Sequence, residues 1–214
     1  MGMRLFTVTL AAAAMLVAAA PAMAQRQPGN LTLNASAKLV RFGKTVTLSG
    51  KLTGRNNSAR NVEVEQDPFP FENTFIRLAV VSTTAQGDWT SLAKPSVNTH
   101  YRARSGGETS RVETVEVRPA ISLAVNDRTP RKGARVRFSG RLCPEHDDAA
   151  LALQRRTRRG FVNVKSTTLK ADPSACSIYA VRARVRRDSR FRMFFVGDAD
   201  HAAGPSRGVR VDVH

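Results

Sequence analysis

Few side chains in this sequence of 214 residues have the type and spacing that chemistry needs. Nucleophilic catalysis requires a serine or cysteine beside a base that a carboxylate orients. The histidines, His100, His146, His201 and His214, are scattered and stand mostly beside turns or at the terminus. Neither a Gly-x-Ser-x-Gly nucleophile motif nor a glycine-rich phosphate loop occurs. His146 with Asp147 and Asp148 is the nearest local cluster, and its place after Cys143-Pro144 reads as a solvated turn. Asp198 and Asp200, beside His201, could offer oxygens to calcium, but that ion takes about six to eight oxygen ligands. The loop supplies two carboxylates, so the ordinary reading is a plain polar loop. The sequence thus points to no catalytic residue, no metal and no cofactor, and away from an enzyme.

Charge is the more informative feature. The formal net charge is +17, unevenly spread. Residues 25–118 carry 13 basic and 8 acidic residues, a net +5, whereas residues 119–214 carry 20 and 9, a net +11. In the second region Arg155, Arg156 and Arg158 crowd one hairpin, and Arg182, Arg184 and Arg186 alternate along a strand. Alternate residues of a strand stand about 7 Å apart on one face, so these three form a row whose field attracts polyanions. The competing reading is incidental surface charge, since arginine outnumbers lysine 27 to 7 throughout. Nucleic acid is ranked last, because no basic strand is interleaved with stacking aromatics. Phe69, Phe71 and Phe75 flank Pro68 and Pro70; they either pack into a core or present rings to a protein partner. Trp89 reads as the cap of a hydrophobic core.

The elements that carry these residues are strands, and they come twice. Gly43–Leu52 reappears as Gly133–Leu142 at an offset of 90 residues, and Tyr101-Arg102-Ala103 answers Phe191-Arg192-Met193 at the same offset. Ser110-Arg111 through Val117 answers Ser206-Arg207 through Val213 at an offset of 96, so the extra residues fall between the last two strands of the second copy. Within the copies, apolar and polar residues alternate with the period of half-buried strands. Val46 and Leu48 point inward, as do Val136 and Phe138, Val181 and Ala183, and Phe191, Met193 and Phe195. With no long helical pattern, the expected fold is all-β: two tandem Ig-like β-sandwich domains, residues 25–118 and 119–214, meeting near Arg118-Pro119-Ala120 as a fairly stiff pair.

The Ser-Gly-x-Leu strand ending, Pro95 followed by Asn98-Thr99-His100-Tyr101-Arg102, and the closing Ser-Arg strand resemble the Ig-like or fibronectin-III-like domains of secreted actinobacterial proteins. The second copy resembles a subtype marked by Cys143-Pro144, Gln154-Arg155-Arg156, Cys176-Ser177-Ile178-Tyr179 and Asp198-Ala199-Asp200-His201. The resemblance covers nearly all of the mature chain and carries no catalytic residues. It implies that Cys176 opens a strand antiparallel to the one Cys143 ends, so the two cysteines are expected to form one structural disulfide. The first copy lacks the pair.

Residues 1–24 read as a secretory signal peptide: Arg4, an apolar stretch from Leu5 to Ala20, and a small-x-small ending at Ala24. A spanning helix is the rival reading, though the run is short and alanine-rich for one. A mature, secreted chain from Gln25 is expected, without a transmembrane anchor. The leading functional expectation is a non-catalytic binding or spacer protein that docks to anionic cell-envelope polymers through Arg155, Arg156, Arg158, Arg182, Arg184 and Arg186. The second is a structural or protein-interaction module that uses the Phe69–Phe75 loop.

Overall fold

Period-two alternation commits a segment to a strand with one face inward, and a computed structural model of the chain shows strands and no helix among the residues it describes, 30–214. The expected signal peptide lies outside them. Before Pro119, β1 (Asn34–Ala35), β3 (Val46–Lys51) and β6 (Asp88–Ala93) make one sheet. The other runs in the order β2 (Leu39–Arg41), β9 (Glu113–Arg118), β7 (Thr99–Ser105), β4 (Asn61–Pro68) and β5 (Ile76–Ser82), with β8 (Glu108–Thr109) beside β7. After Pro119, β10 (Ala120–Ile121), β12 (Arg135–Cys143), β16 (Cys176–Arg184) and β15 (Lys170–Asp172) form one sheet, with β11 (Ala124–Val125) also on β12. Its counterpart is β14 (Gly160–Thr168), β13 (Ala150–Thr157), β17 (Ser189–Phe195) and β18 (Gly204–Pro205), with β19 (Val209–Val211) on β17. Ladders are antiparallel except β2 with β9.

No sheet takes strands from both sides of Pro119. Each half closes on its own apolar cluster, one drawn from Leu31 to Val117 and the other from Ile121 to Val211. Val46, Leu48, Val136, Phe138, Val181, Phe191, Met193 and Phe195 are buried as the alternation requires, and Trp89 is buried too. Burying each large apolar side chain contributes about 1.5–3 kcal/mol.

The repeat has a steric cause. Gly50 and Gly140 each lie where an earlier segment crosses the strand. A Cβ on Gly50 would stand 1.9 Å from the Thr32 carbonyl oxygen, and one on Gly140 2.2 Å from that of Ser122. Their cross-strand partners are Trp89 and Tyr179, and the Tyr179 hydroxyl donates to the Ser122 oxygen. Ser110 and Ser206 are likewise equivalent in what they bind. The Ser110 hydroxyl accepts from the Ala103 amide, and that of Ser206 from the Met193 amide. The shift in offset from 90 to 96 is one lengthened turn. Gly106-Gly107 joins β7 to β8, while Val196–Ala203 joins β17 to β18.

Cys143 and Cys176 are bonded, with Cα atoms 4.5 Å apart, where the end of β12 meets the start of β16.

Both tyrosines, Tyr101 and Tyr179, are buried. Burial pushes the Tyr101 phenol up to about 12 and that of Tyr179 well above its ordinary value. A folded-state pKa above the unfolded one gives stability that is complete below about pH 10 and is lost as pH rises through the folded value. Tyrosinate absorbance is therefore expected to appear only together with loss of far-UV circular dichroism, above about pH 11. Tyrosinate formation near pH 10 in a chain with native dichroism would contradict the burial.

Candidate polyanion groove and a histidine–aspartate cluster

β16 pairs with β15 only through Cys176–Ile178, so its edge beyond Ile178 lacks a backbone ladder. β14 runs beside that edge. Lys165 Nζ donates to the Arg182 carbonyl at 3.2 Å, and the Thr167 hydroxyl donates to that of Ala180 at 3.4 Å. β14 carries an extra residue, Val164, opposite the Leu153–Gln154 step of β13. A groove of about 450 Å³ opens there, floored by Val164, Ala183, Val185 and Phe191 and edged by Arg155, Arg184, Arg186 and Arg187. It continues into a second hollow lined by Arg135, Lys165, Arg182 and Arg184. No carboxylate lines either part.

The groove thus gathers Arg155, Arg182, Arg184 and Arg186 from the sequence-derived set. Arg182 and Arg184 are exposed on β16, as alternation predicts, while Arg186 lies just past the strand end. The structure does not bring Arg156 and Arg158 to them. Arg156 faces the opposite way on β13, its guanidinium 5.3 Å from the Phe161 ring, where Arg192 also stacks at 3.8 Å. Burial, and then the charge of Arg156, lower the pKa of Arg192. Arg158 sits in the β13–β14 turn.

Two arginines that the sequence pattern places outward but not in the site complete the face. β12 and β16 are in a register that sets Arg135 opposite Arg184 and Arg137 opposite Arg182. Like charges directly across a ladder destabilise it. Among the described residues, none of these four has a carboxylate within ion-pair distance, whereas Arg141 farther along β12 pairs with Asp172 at 3.2 Å.

Phe69, Phe71 and Phe75 are half-buried, and none belongs to the apolar core. Of the two readings, core packing gives way to packing on the outer face of the β4–β7 sheet. Phe71 stacks on His100 with centroids 4.0 Å apart and meets Phe69 edge-on, and Arg102 lies 3.9 Å over Phe75.

The second polar constellation was not legible as one. His146, expected in a solvated turn, has a side chain only 5 % exposed, because the edge of Phe195 and the ring of His201 cover it at 4.9 and 4.7 Å. The lengthened Val196–Ala203 turn brings Asp198, Asp200 and His201 to it, and one ligand atom from each of the four lies within 4.8 Å of the others. Burial and then the neighbouring Asp200 carboxylate push the Asp198 carboxyl up. Burial also opposes ionisation of Asp200, but the neighbouring Asp198 and His201 side chains outweigh it and hold that carboxyl below its ordinary range.

The same turn docks on the N-terminal half. The Asn98 amide donates to the Asp200 carbonyl and the Ala202 amide to that of Val117, each at 2.8 Å. No protein-family model matches this chain, and no curated protein matches it.

Proposed function

We propose that the protein is a non-catalytic extracellular binding module whose C-terminal sandwich docks to an anionic cell-envelope polymer through the arginine groove. The observation that carries this reading is the pair of cross-strand arginine couples, Arg135 with Arg184 and Arg137 with Arg182, left without carboxylates. A charged but idle surface intersperses signs, as Arg141 and Asp172 do nearby; a surface that tolerates like-charge repulsion is shaped for a counter-charge from outside. The two sandwiches and the sequence resemblance to secreted Ig-like domains support the extracellular, spacer-like part, as does the disulfide. The apolar floor suits a polymer with a carbon backbone between its anionic groups.

Co-sedimentation of the purified protein with isolated cell envelopes across a salt series tests the proposal. Changing Arg135, Arg182, Arg184 and Arg186 to serine is expected to weaken binding at least tenfold and to flatten its salt dependence. Binding indifferent to salt and to these changes would instead favour an apolar protein contact at Phe69–Phe75.

A further inference from the structure

The cluster of His146, Asp198, Asp200 and His201 is arranged as a ligand set rather than as a hydrogen-bond network. Each histidine has one ring nitrogen committed to a backbone carbonyl: Nδ1 of His146 to Pro144 at 2.9 Å, and Nε2 of His201 to Ser96 at 2.8 Å. A carbonyl oxygen only accepts, so those nitrogens carry the hydrogens. In the neutral rings Nε2 of His146 and Nδ1 of His201 are then bare lone pairs. Both are buried, their side chains 5 % and 1 % exposed, and neither has a hydrogen-bond partner.

What these lone pairs face are further acceptors. Asp198 Oδ2 stands 3.3 Å from His146 Nε2, and Asp200 Oδ1 stands 3.1 Å from His201 Nδ1. Neither contact is a hydrogen bond. Two buried imidazole lone pairs thus converge with two carboxylates whose side chains are 38 % exposed, a set that a positive charge between them would satisfy. A proton on each ring would pair it with its facing carboxylate at 3.3 and 3.1 Å; titration with metal distinguishes that state from a bound ion. A divalent ion satisfies all four at once.

We propose that these residues bind one divalent transition-metal ion of the zinc type, through His146 Nε2, His201 Nδ1 and the carboxylates of Asp198 and Asp200. Two imidazoles and two carboxylates are a four-coordinate nitrogen–oxygen set, which suits zinc and its neighbours and is wrong in number and type for calcium. The carbonyls of Pro144 and Ser96 fix ring orientation as outer-shell partners of metal-bound histidines do. A closed protein ligand set assigns the ion a structural role. It would tie the loop between β12 and β13 to the lengthened turn between β17 and β18. That turn holds the N-terminal half through Ser96, Asn98 and Val117, so the ion would stiffen the joint between the two sandwiches.

The test is titration of the chelator-treated protein with Co²⁺, read by its visible d–d bands, and then with Zn²⁺ by calorimetry and thermal melting. We expect a single equivalent of each ion, a tetrahedral-type cobalt spectrum that zinc abolishes, and a melting midpoint raised by zinc. The near-isosteric His146→Gln and Asp198→Asn should each weaken zinc binding at least ~100-fold, whereas His100→Ala, outside the cluster, should leave it unchanged. Native circular dichroism identifies variants that fold. Failure of the folded wild-type protein to bind either ion would overturn the proposal, as would zinc binding that survives the combined His146→Gln, Asp198→Asn change.

Discussion

Removing the Cys143–Cys176 bridge, by changing both residues to alanine, is expected to destabilise the C-terminal sandwich by about 3–4 kcal/mol. The closed loop spans a sequence separation of 33 and contains all of β13, β14 and β15, so the reduced unfolded chain regains the freedom of three strands. Position adds to this effect. The bond lies at the end of β12, next to the loop that carries His146, where the Ser177 hydroxyl also accepts from the His146 amide. Trp89, the sole tryptophan, is in the N-terminal core. Its fluorescence transition in denaturant should therefore move much less than the dichroism transition of the whole chain. A loss below about 1 kcal/mol would show that the ladder of β12 with β16 holds this region without the covalent tie.

Gly140→Ala is expected to be nearly as damaging, at about 3 kcal/mol or more. The new Cβ would lie 2.2 Å from the Ser122 carbonyl oxygen and 2.8 Å from the Tyr179 hydroxyl. The first is backbone and cannot swing aside, so β10 and β11 would have to lift from β12. Gly50→Ala should injure the N-terminal sandwich in the same way, and Trp89, whose ring would stand 2.7 Å from that Cβ, reports it directly. Gly133→Ala is the control. Nothing lies within 4 Å of its Cβ position, and only its φ of +86° opposes alanine, for a loss of about 1 kcal/mol. Equal losses at Gly133 and Gly140 in denaturant titrations would refute the steric account.

How far the molecule could be read from its residues follows from what each signal encodes. Alternation reports which side of a strand faces inward, and it placed Val136, Phe138, Phe191 and Met193 correctly. The repeat located Gly50 and Gly140 without revealing why both are glycine, because the Thr32 and Ser122 carbonyls that exclude a side chain come from other segments of the chain. The basic row on β16 was legible as far as the strand ran straight. Its pairing with Arg135 and Arg137 depends on the register of β12 with β16, and Arg156 lies apart from that row because neighbours on a strand face opposite ways. The His146 cluster was hidden for a different reason. Its histidine and its Asp-x-Asp-His turn lie far apart in sequence and meet only when β12 and β17 stack in one sandwich. Two signals did bear on it: the Asp-x-Asp-His turn offered ligands for an ion, and the offset change from 90 to 96 marked that turn as an insertion in the second copy.

The arginine groove is the central claim, and amide chemical shifts locate its ligand most directly. On titrating the ¹⁵N-labelled protein with inorganic polyphosphate at low salt, we expect saturable shifts concentrated at Arg135, Val164, Lys165 and Arg182 through Arg187, fading as salt is raised. Shifts spread evenly over both sandwiches, or centred on Phe69 through Phe75, would contradict it and leave the arginines a solvated face.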